Sequence, residues 1–564
     1  MCAAAYLYVF PYFPAINNPN ENVRFYMTAA IVEQGTYEID EMRSRWGWVN
    51  DAALHHGRVF SVKAPGTSLL GVPGYALYYY GNQALDAEPD REVGLWVCRV
   101  TASILPTLAF LFFFYGWLDR ETRHPVARDA VFLSVALGSM LFGYALLFVS
   151  HTLSACVAFG AFMILREARR LGTLDWKLAA WAGFLAASVT ALEYPGFVVS
   201  ATLAIYALLA IRPRGRLLHF ALGALVPTLM VMHFQWSAFD NPFSPGHLYV
   251  ESDAFREAHE QGLFGATGFH ADAALTLLFD LGSGLFPLTP ILVFAVIGFP
   301  RLLGDRAHRL DAAVALLCVG LTYLLICFMN NWRGGWTIGP RYLAVVVPFV
   351  AWGALSGLDL LSRTHPRLVA ILALGTAITA LLTSGIPSVY YPHLPPEFTR
   401  PLPELFAPLV AHDYAPPNAG NLLGWWGTAS MLPMLALAGV ALLWAVHEPQ
   451  IDLKDRFSIV VGGLLIGGFL TGPHMQSPER DRPVADAVAF VTRSWNPQGH
   501  DLAARLEAHI ATSSAVTPED YRQLADVYFA EGREREARAA MHAGDLASEA
   551  ARLRDERGRT TGRP

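Results

Sequence analysis

Along this chain the apolar positions gather into long, nearly unbroken runs, separated by short polar segments that alternate in character. A helix that crosses a bilayer needs about 20 mostly apolar residues. By that measure crossings are expected at 1–16, 93–118, 130–150, 152–166, 178–193, 195–211, 217–237, 284–300, 312–329, 342–362, 368–385, 423–445 and 457–472, thirteen in all. The loops 119–129, 166–177, 212–216, 301–310, 363–367 and 447–456 together carry 17 Arg and Lys, which marks the cytoplasmic side. The stretches 17–64, 238–272, 330–341 and 386–421 are longer, rich in Trp, Tyr, Pro and Gly, and poor in positive charge, so they are expected outside. The alternation closes only if 65–83 does not cross fully, because the acidic loop 85–92 must also lie outside. Residues 65–83 are therefore read as re-entrant or interfacial. The first run lacks a basic flank and a signal-peptide cleavage site; it is expected to be retained, as a deeply placed helix or an incomplete start.

The pattern changes after 472. Charge density rises, the apolar runs stop, and 485–510 and 518–552 read as amphipathic helices, so 473–564 is expected to be a soluble helical appendage to a 1–472 transmembrane domain. Tyr521, Leu524, Ala525, Tyr528, Gly532, Ala537 and Met541 fit the spacing of one tetratricopeptide-like hairpin. A plain helical hairpin explains the spacing as well, since such repeats usually need three units for a stable core. The hairpin offers a surface for a protein partner.

Composition agrees with the pattern. Of 564 residues 54% are apolar and 16% charged, against an apolar share of about 45–50% in soluble domains. The class is an all-α polytopic membrane bundle. A net charge of −6 supplies no basic surface for nucleic acid. Cys2, Cys98, Cys156, Cys318 and Cys327 all fall at or in apolar runs without CxxC spacing and read as small core residues. Only Lys63, Lys177 and Lys454 are lysines among 41 basic residues, so a lysine in a special position is informative.

The candidate chemistry lies in the first outer loop, 17–64. An amphipathic helix is expected from about Glu21 to Gln34, stopped by Gly35, lying on the membrane surface. Glu21 would stand in its first turn, where apolar surroundings favour a general base, although a helix dipole also favours an acid there. Lys63 precedes Pro65-Gly66 and an apolar run, which suits a lipid phosphate as well as it suits snorkelling. Glu193 and Tyr194, like Ser150 and His151, fall between crossings at the outer face, where they could touch a sugar or an acceptor or close a loop by hydrogen bonds. His55-His56 has no HExxH or comparable ligand set, so no dedicated zinc site is expected.

The order Glu21, Arg24, Ala29-Ala30, Gly35, then Gly57-Arg58-Val59-Phe60 and Lys63-Ala64-Pro65 resembles the first-loop signature of GT-C superfamily glycosyltransferases. The resemblance is to the branch holding protein O-mannosyltransferases and lipid A aminoarabinose transferases. Gly339-Pro340-Arg341-Tyr342, within 330–350, resembles a late-loop element of bacterial members, and 239–250, 261–265 and 282–290 are similar to the same branch. The chain departs from the pattern at Asn20, where one acid of a pair would stand, and at Ala64, which replaces the first proline. Asp51 is then the best substitute acid. The resemblance covers roughly 1–390.

The resemblance implies an enzyme that moves a sugar from a polyprenyl-phosphate donor to an acceptor hydroxyl at the extracytoplasmic face, with inversion. Glu21 or Asp51 would be the base; Lys63, Arg341, Tyr342 and Arg24 would hold the lipid phosphate; Glu193, Tyr194, His151 and Trp336 would contact sugar or acceptor. Trp336 and Tyr342 also fit an interfacial aromatic belt, and Arg341 offers a fixed fork of donors. Membrane lipids and a lipid-linked sugar are the expected partners, with no cofactor and with metal dependence left open. A scarcity of Lys beside Arg points to a GC-rich coding sequence and a bacterial cytoplasmic membrane. Two other readings stand beside this one: a lipid-linked sugar transporter or flippase, kept open by Arg99 and Asp280 near apolar segments, and a scaffold acting through its tail.

Overall fold

The computed structural model describes residues 2–10, 18–49, 51–251, 265–390, 394, 398, 400–411 and 415–446. Shorter pieces are described at 454, 457, 460–462, 503, 506–507, 509–511, 516–530 and 536–547. Two compact units emerge: Met1–Pro11, Pro19–Ala407 and Ala415–Met475 form the first, and Tyr12–Asn18, Pro408–Tyr414 and Gln476–Pro564 the second.

Helices build the first unit. Among the described residues five are long and apolar enough to cross a membrane: Arg91–Glu121, Arg216–Phe239, Arg309–Cys327, Arg341–Ser362 and Pro366–Tyr390. Trp176–Leu192, Tyr194–Ala210, Pro290–Gly304 and Gly427–Val440 are shorter apolar helices. The expected thirteen crossings are thus not confirmed among the described residues, where some of the apolar runs are broken inside. The expected crossing 130–150 is two helices, Pro125–Ala136 and Met140–Ala145. The break lies at Gly138, where an added Cβ would come within 2.8 Å of the Ala380 Cβ, and at Ser139, whose Oγ accepts the Leu141 amide at 3.3 Å. The run 65–83 is one helix, Gly66–Ala84, with Pro73 inside it. Only Cys2–Tyr8 is helical at the start; 11–17 and most of 457–472 lie outside the described residues.

Among the described residues three wide π turns occur, at Arg99–Ile104, Leu381–Gly385 and Leu402–Phe406. Each is followed within two residues by a proline, Pro106, Pro387 or Pro408. Proline has no N–H to donate to the preceding turn, and a wider turn re-registers the ladder there. The first of these turns carries Arg99 into the interior.

Glycines set the closest helix approaches. A Cβ on Gly183 would stand 1.9 Å from the Phe220 carbonyl, and one on Gly223 would stand 1.9 Å from the Ala180 carbonyl. The same fit joins Gly298 to Gly353 and Gly357, a GxxxG pair, with the Gly298 Cβ falling 1.8 Å from the Gly353 carbonyl. Small residues of this kind let helix backbones meet where apolar burial alone gives no driving force.

Ion pairs gather the short basic loops at one end. Arg166 pairs with Glu121 and Asp311, Arg169 with Asp311, and Arg301 and Arg363 with Asp359. The long loops gather separately. Val250 bridges Ala53, Ala266 bridges Met329, and the Thr337 amide donates to Leu394 at 3.0 Å.

The loop that leads to Lys63 differs from the expected surface-lying segment. Its helix, Pro19–Gln34, ends at Gly35 (φ 69°) as its sequence dictates, but Asn20 to Ala30 are buried all round. Polar side chains on every face of the first turns find partners inside the bundle, so burial costs less than the sequence pattern suggests. Between the short helix Asp40–Trp46 and Lys63 lies an antiparallel hairpin, Ala52–His55 with Arg58–Ser61. Its two-residue turn puts both His56 (φ 50°) and Gly57 (φ 77°) in the left-handed region, the geometry that matches strand twist.

In the second unit, Pro518–Ala530 packs Leu524, Ala525, Val527 and Tyr528 with Ala537, Ala540 and Ala503, flanked by Leu506 and Ile510. Tyr528 donates to Glu507 at 2.5 Å. Met541, expected to face this hairpin, is exposed, and Gly532 lies outside the described residues.

Candidate functional site

Glu21, the first expected base, is held on three sides. Arg99 donates from Nε and Nη2 to its two oxygens at 2.6 Å each, and the Phe148 amide donates to Oε1 at 2.6 Å. Both Glu21 and Arg99 are buried, and the Arg99 guanidinium lies 4.5 Å from the centre of the Phe10 ring. Glu21 therefore fastens the loop helix to the π turn of Arg91–Glu121. Asp280, the other charge near an apolar segment, accepts the amides of Gly282 and Ser283 and ties its own turn.

One turn past Glu21, Arg24 is also buried. Its Nη1 donates to the Asn20 carbonyl at 2.7 Å and to the Asn20 side chain, and its Nη2 donates to Ser150 Oγ at 2.9 Å. The same Nη2 lies 4.0 Å from Glu193. Burial lowers the Arg24 pKa to about 10, with Glu193 and Asp51 opposing the fall.

Asp51 and Lys63 meet across the base of the hairpin. The hairpin's register, extended by the Val62 amide donating to the Asp51 carbonyl at 3.2 Å, sets the two side by side. Lys63 Nζ is 2.9 Å from Asp51 Oδ2, and both side chains keep partial exposure, 22% and 28%. Desolvation would raise the Asp51 carboxyl, but the charge and hydrogen bond of Lys63, with Arg341 and Arg24 beyond, pull it below its ordinary value. Asp51, Lys63, Arg24 and Arg341 thus form one electrostatic group.

The opposite wall joins two helix starts. His151 opens the helix His151–Leu171, and its Nδ1 lies 2.5 Å from Glu193 Oε2. Burial works to raise the Glu193 carboxyl, yet His151, Arg24 and Arg341 hold it at about 2. The Tyr144 ring stands 4.8 Å and the Tyr342 ring 6.2 Å from the His151 ring. Arg341 stacks on Tyr342 at 5.1 Å. Gly334 (φ 77°) permits this stack, since a Cβ there would fall 2.5 Å from Arg341 Nε. Three buried nitrogens of the group, Arg24 Nε, His151 Nε2 and Arg341 Nε, have no hydrogen-bond partner among the described residues.

Of the residues singled out in the sequence, the structure brings together Arg24, Asp51, Lys63, His151, Glu193, Arg341 and Tyr342. Glu21 sits one turn back in its own buried pair. Tyr194 turns toward Gln235, whose Nε2 donates to its hydroxyl at 3.4 Å, and Trp336 is half exposed on its loop. Sequence reasoning missed Tyr144, whose hydroxyl bonds Thr337 and the Ile338 carbonyl and so ties the late loop to the His151 wall. It lies inside an apolar run, where a lone tyrosine gives no signal. Sequence reasoning also missed the partner of His55 and His56, which is Asp240.

The arrangement has clear chemical capacities. Three cations face a group of two carboxylates and an imidazole, and one ion pair stays partly open. Such a site can bind a phosphate, hold its charge as a bond to it breaks, and accept a proton nearby.

No protein-family profile and no curated protein matches this chain. Among solved structures it is similar to the oligosaccharyltransferase of Archaeoglobus fulgidus in its apo form, with TM-score 0.39 and 12% identity over 70% of this chain and 56% of that one. It is also similar to the archaeal oligosaccharyltransferase AglB from Archaeoglobus fulgidus in complex with an inhibitory peptide and a dolichol-phosphate, with TM-score 0.37 and 12% identity over 74% of this chain and 57% of that one. The chain thus spans less than three fifths of the length of either structure.

Proposed function

We propose that this protein is a membrane glycosyltransferase that moves a sugar from a polyprenyl-phosphate donor to an acceptor hydroxyl, working at the extracytoplasmic face of a bacterial cytoplasmic membrane. The observation that carries the reading is the partly open Asp51–Lys63 pair, flanked by Arg24 and Arg341. A lipid phosphate entering the group competes for Lys63 and frees Asp51. Asp51 then takes the acceptor proton as the acceptor oxygen bonds to the anomeric carbon from the face opposite the phosphate. The carbon–oxygen bond to phosphate breaks, its electron pair leaves with the polyprenyl phosphate, and Lys63, Arg24 and Arg341 balance the charge. A single displacement of this kind inverts the anomeric centre. The leaving phosphate needs no protonation, so a second, raised-pKa acid is not required.

Between the two expected bases the geometry favours Asp51. Glu21 has both oxygens engaged by Arg99 and the Phe148 amide, which suits a positioning residue. The transporter reading rested on Arg99 and Asp280, and both have local structural partners. The test is reconstitution with polyprenyl-phosphate-linked hexose, pentose and aminosugar donors, reading release of free polyprenyl phosphate. Asp51→Asn and Lys63→Ala should each lower release by at least about a hundredfold. Wild type that binds these lipids but releases none, with any donor or extracted acceptor, would turn the reading to transport.

A further inference from the structure

The hairpin that carries Asp51 has a second cluster at its far end. His55 and His56 sit at the turn, and Asp240 follows the last residue of the helix Arg216–Phe239. His55 Nε2 is 3.1 Å and His56 Nε2 is 3.3 Å from the same oxygen, Asp240 Oδ2, and all three ligand atoms lie within 4.8 Å of one another. Around a tetrahedral zinc with bonds of about 2.0–2.1 Å, neighbouring ligand atoms stand about 3.3 Å apart. The two His–Asp240 separations match edges of such a tetrahedron, and the third, between the two Nε2 atoms, is at most 4.8 Å.

The backbone aims these side chains together. His56 (φ 50°) and Asp240 (φ 57°) both occupy the left-handed region, which non-glycine residues seldom enter. His55 is braced by the Tyr249 ring at 4.8 Å, which stacks on Phe239 at 4.7 Å. Two imidazoles and one carboxylate match a borderline divalent cation such as zinc and suit magnesium or calcium poorly. Three protein ligands leave a fourth position for water or another donor.

We propose that His55, His56 and Asp240 form a zinc-class cation site that staples the hairpin to the end of the Arg216–Phe239 helix. This departs from the expectation, drawn from the sequence, of no dedicated zinc site at His55-His56, and it does not rest on the proposed transferase activity. The hydrogen-bonded alternative needs the opposite tautomers, with both Nε2 atoms protonated and donating to one oxygen. Metal binding needs both Nε2 lone pairs free. Because Asp51 begins the hairpin, the staple would also fix the position of the Asp51–Lys63 pair.

The experiment uses the full-length protein in nanodiscs, stripped with chelator and titrated with cobalt(II) and then zinc(II). The expected result is one equivalent of cobalt with the visible absorption of a tetrahedral site, displaced by zinc and not by magnesium, together with a rise in melting temperature on zinc addition. His56 and Asp240 are 75% and 73% exposed, so His56→Ala and Asp240→Asn should fold and bind about 10–100-fold more weakly. Two outcomes overturn the proposal: binding as tight in both folded variants as in wild type, or no binding below millimolar metal in wild type.

Discussion

At the residue scale, depressed carboxylates carry the pH behaviour. Asp51 must be ionised to act as a base, and its folded pKa lies below the usual 3.8, so the acid limb of lipid-phosphate release should fall below that value. Lys63→Met removes the main cation that offsets desolvation. The limb of its residual activity, read in single turnover against pH, should therefore move upward. An unmoved limb would take Asp51 out of the base role. Glu193 gives a second test. Its folded pKa of about 2 lies below the ordinary value of 4.5, so its contribution to stability is complete above 4.5 and drains away as pH falls through 2. Acid unfolding of Glu193→Gln should be flatter than that of wild type across this window, as measured by chemical unfolding at a series of pH values. Arg24, Asp51, Lys63, Glu193 and Arg341 could be picked out in the sequence because charge at the edge of an apolar run is costly unless used. Their pairing could not. Lys63 lies 12 residues from Asp51, but Arg99 lies 78 from Glu21 and Asp240 lies 185 from His55, and no local pattern encodes such distances.

At the element scale, the loop helix Pro19–Gln34 shows where pattern reading fails. Its stop at Gly35 was legible because a left-handed C-terminal residue favours glycine. Its depth was not, because a first turn reading Asn-Glu-Asn-Val-Arg looks like a solvated face until its partners are known. The Glu21–Arg99 pair that makes burial tolerable leads to a double-mutant cycle. Removing one partner leaves a buried charge alone and should cost about 3–5 kcal/mol, whereas replacing both with apolar residues should recover much of it. Thermal or denaturant unfolding of Glu21→Leu, Arg99→Leu and the double variant in detergent checks this; additive losses would remove the pair as the anchor. The glycine seam is the other element-scale device. Gly298→Ala, whose methyl would meet the Gly353 carbonyl, should destabilise the Pro290–Gly304 and Arg341–Ser362 packing by about 1–3 kcal/mol, while Gly304→Ala, with open space around it, should be near neutral for packing. Equal effects would mean that helix propensity, not the seam, decides.

At the scale of the molecule, four of the six basic loops share an end, while the expected number of crossings is not confirmed among the described residues. The basic loops were grouped from charge alone, and Arg166, Arg169, Arg301 and Arg363 now tie four of them to one another through Glu121, Asp311 and Asp359. The aromatic, glycine-rich loops hold the candidate site at the other set of helix ends. Crossing number was less legible, because an apolar run is the same signal whether the helix continues or breaks at a serine cap. The excess of positive charge in the basic loops leads to the expectation that their end faces the cytoplasm. Single cysteines decide it. Arg58 on the hairpin and Lys177 in the first turn of Trp176–Leu192 are both exposed, whereas four of the five native cysteines are buried. With Cys2 replaced by serine, an impermeant maleimide should label Arg58→Cys in intact spheroplasts and Lys177→Cys only after permeabilisation. Labelling of both from one side would break the alternation of loops, and labelling with the opposite preference would move the Asp51–Lys63 pair to the cytoplasmic face, where a sugar nucleotide would become the better donor to test.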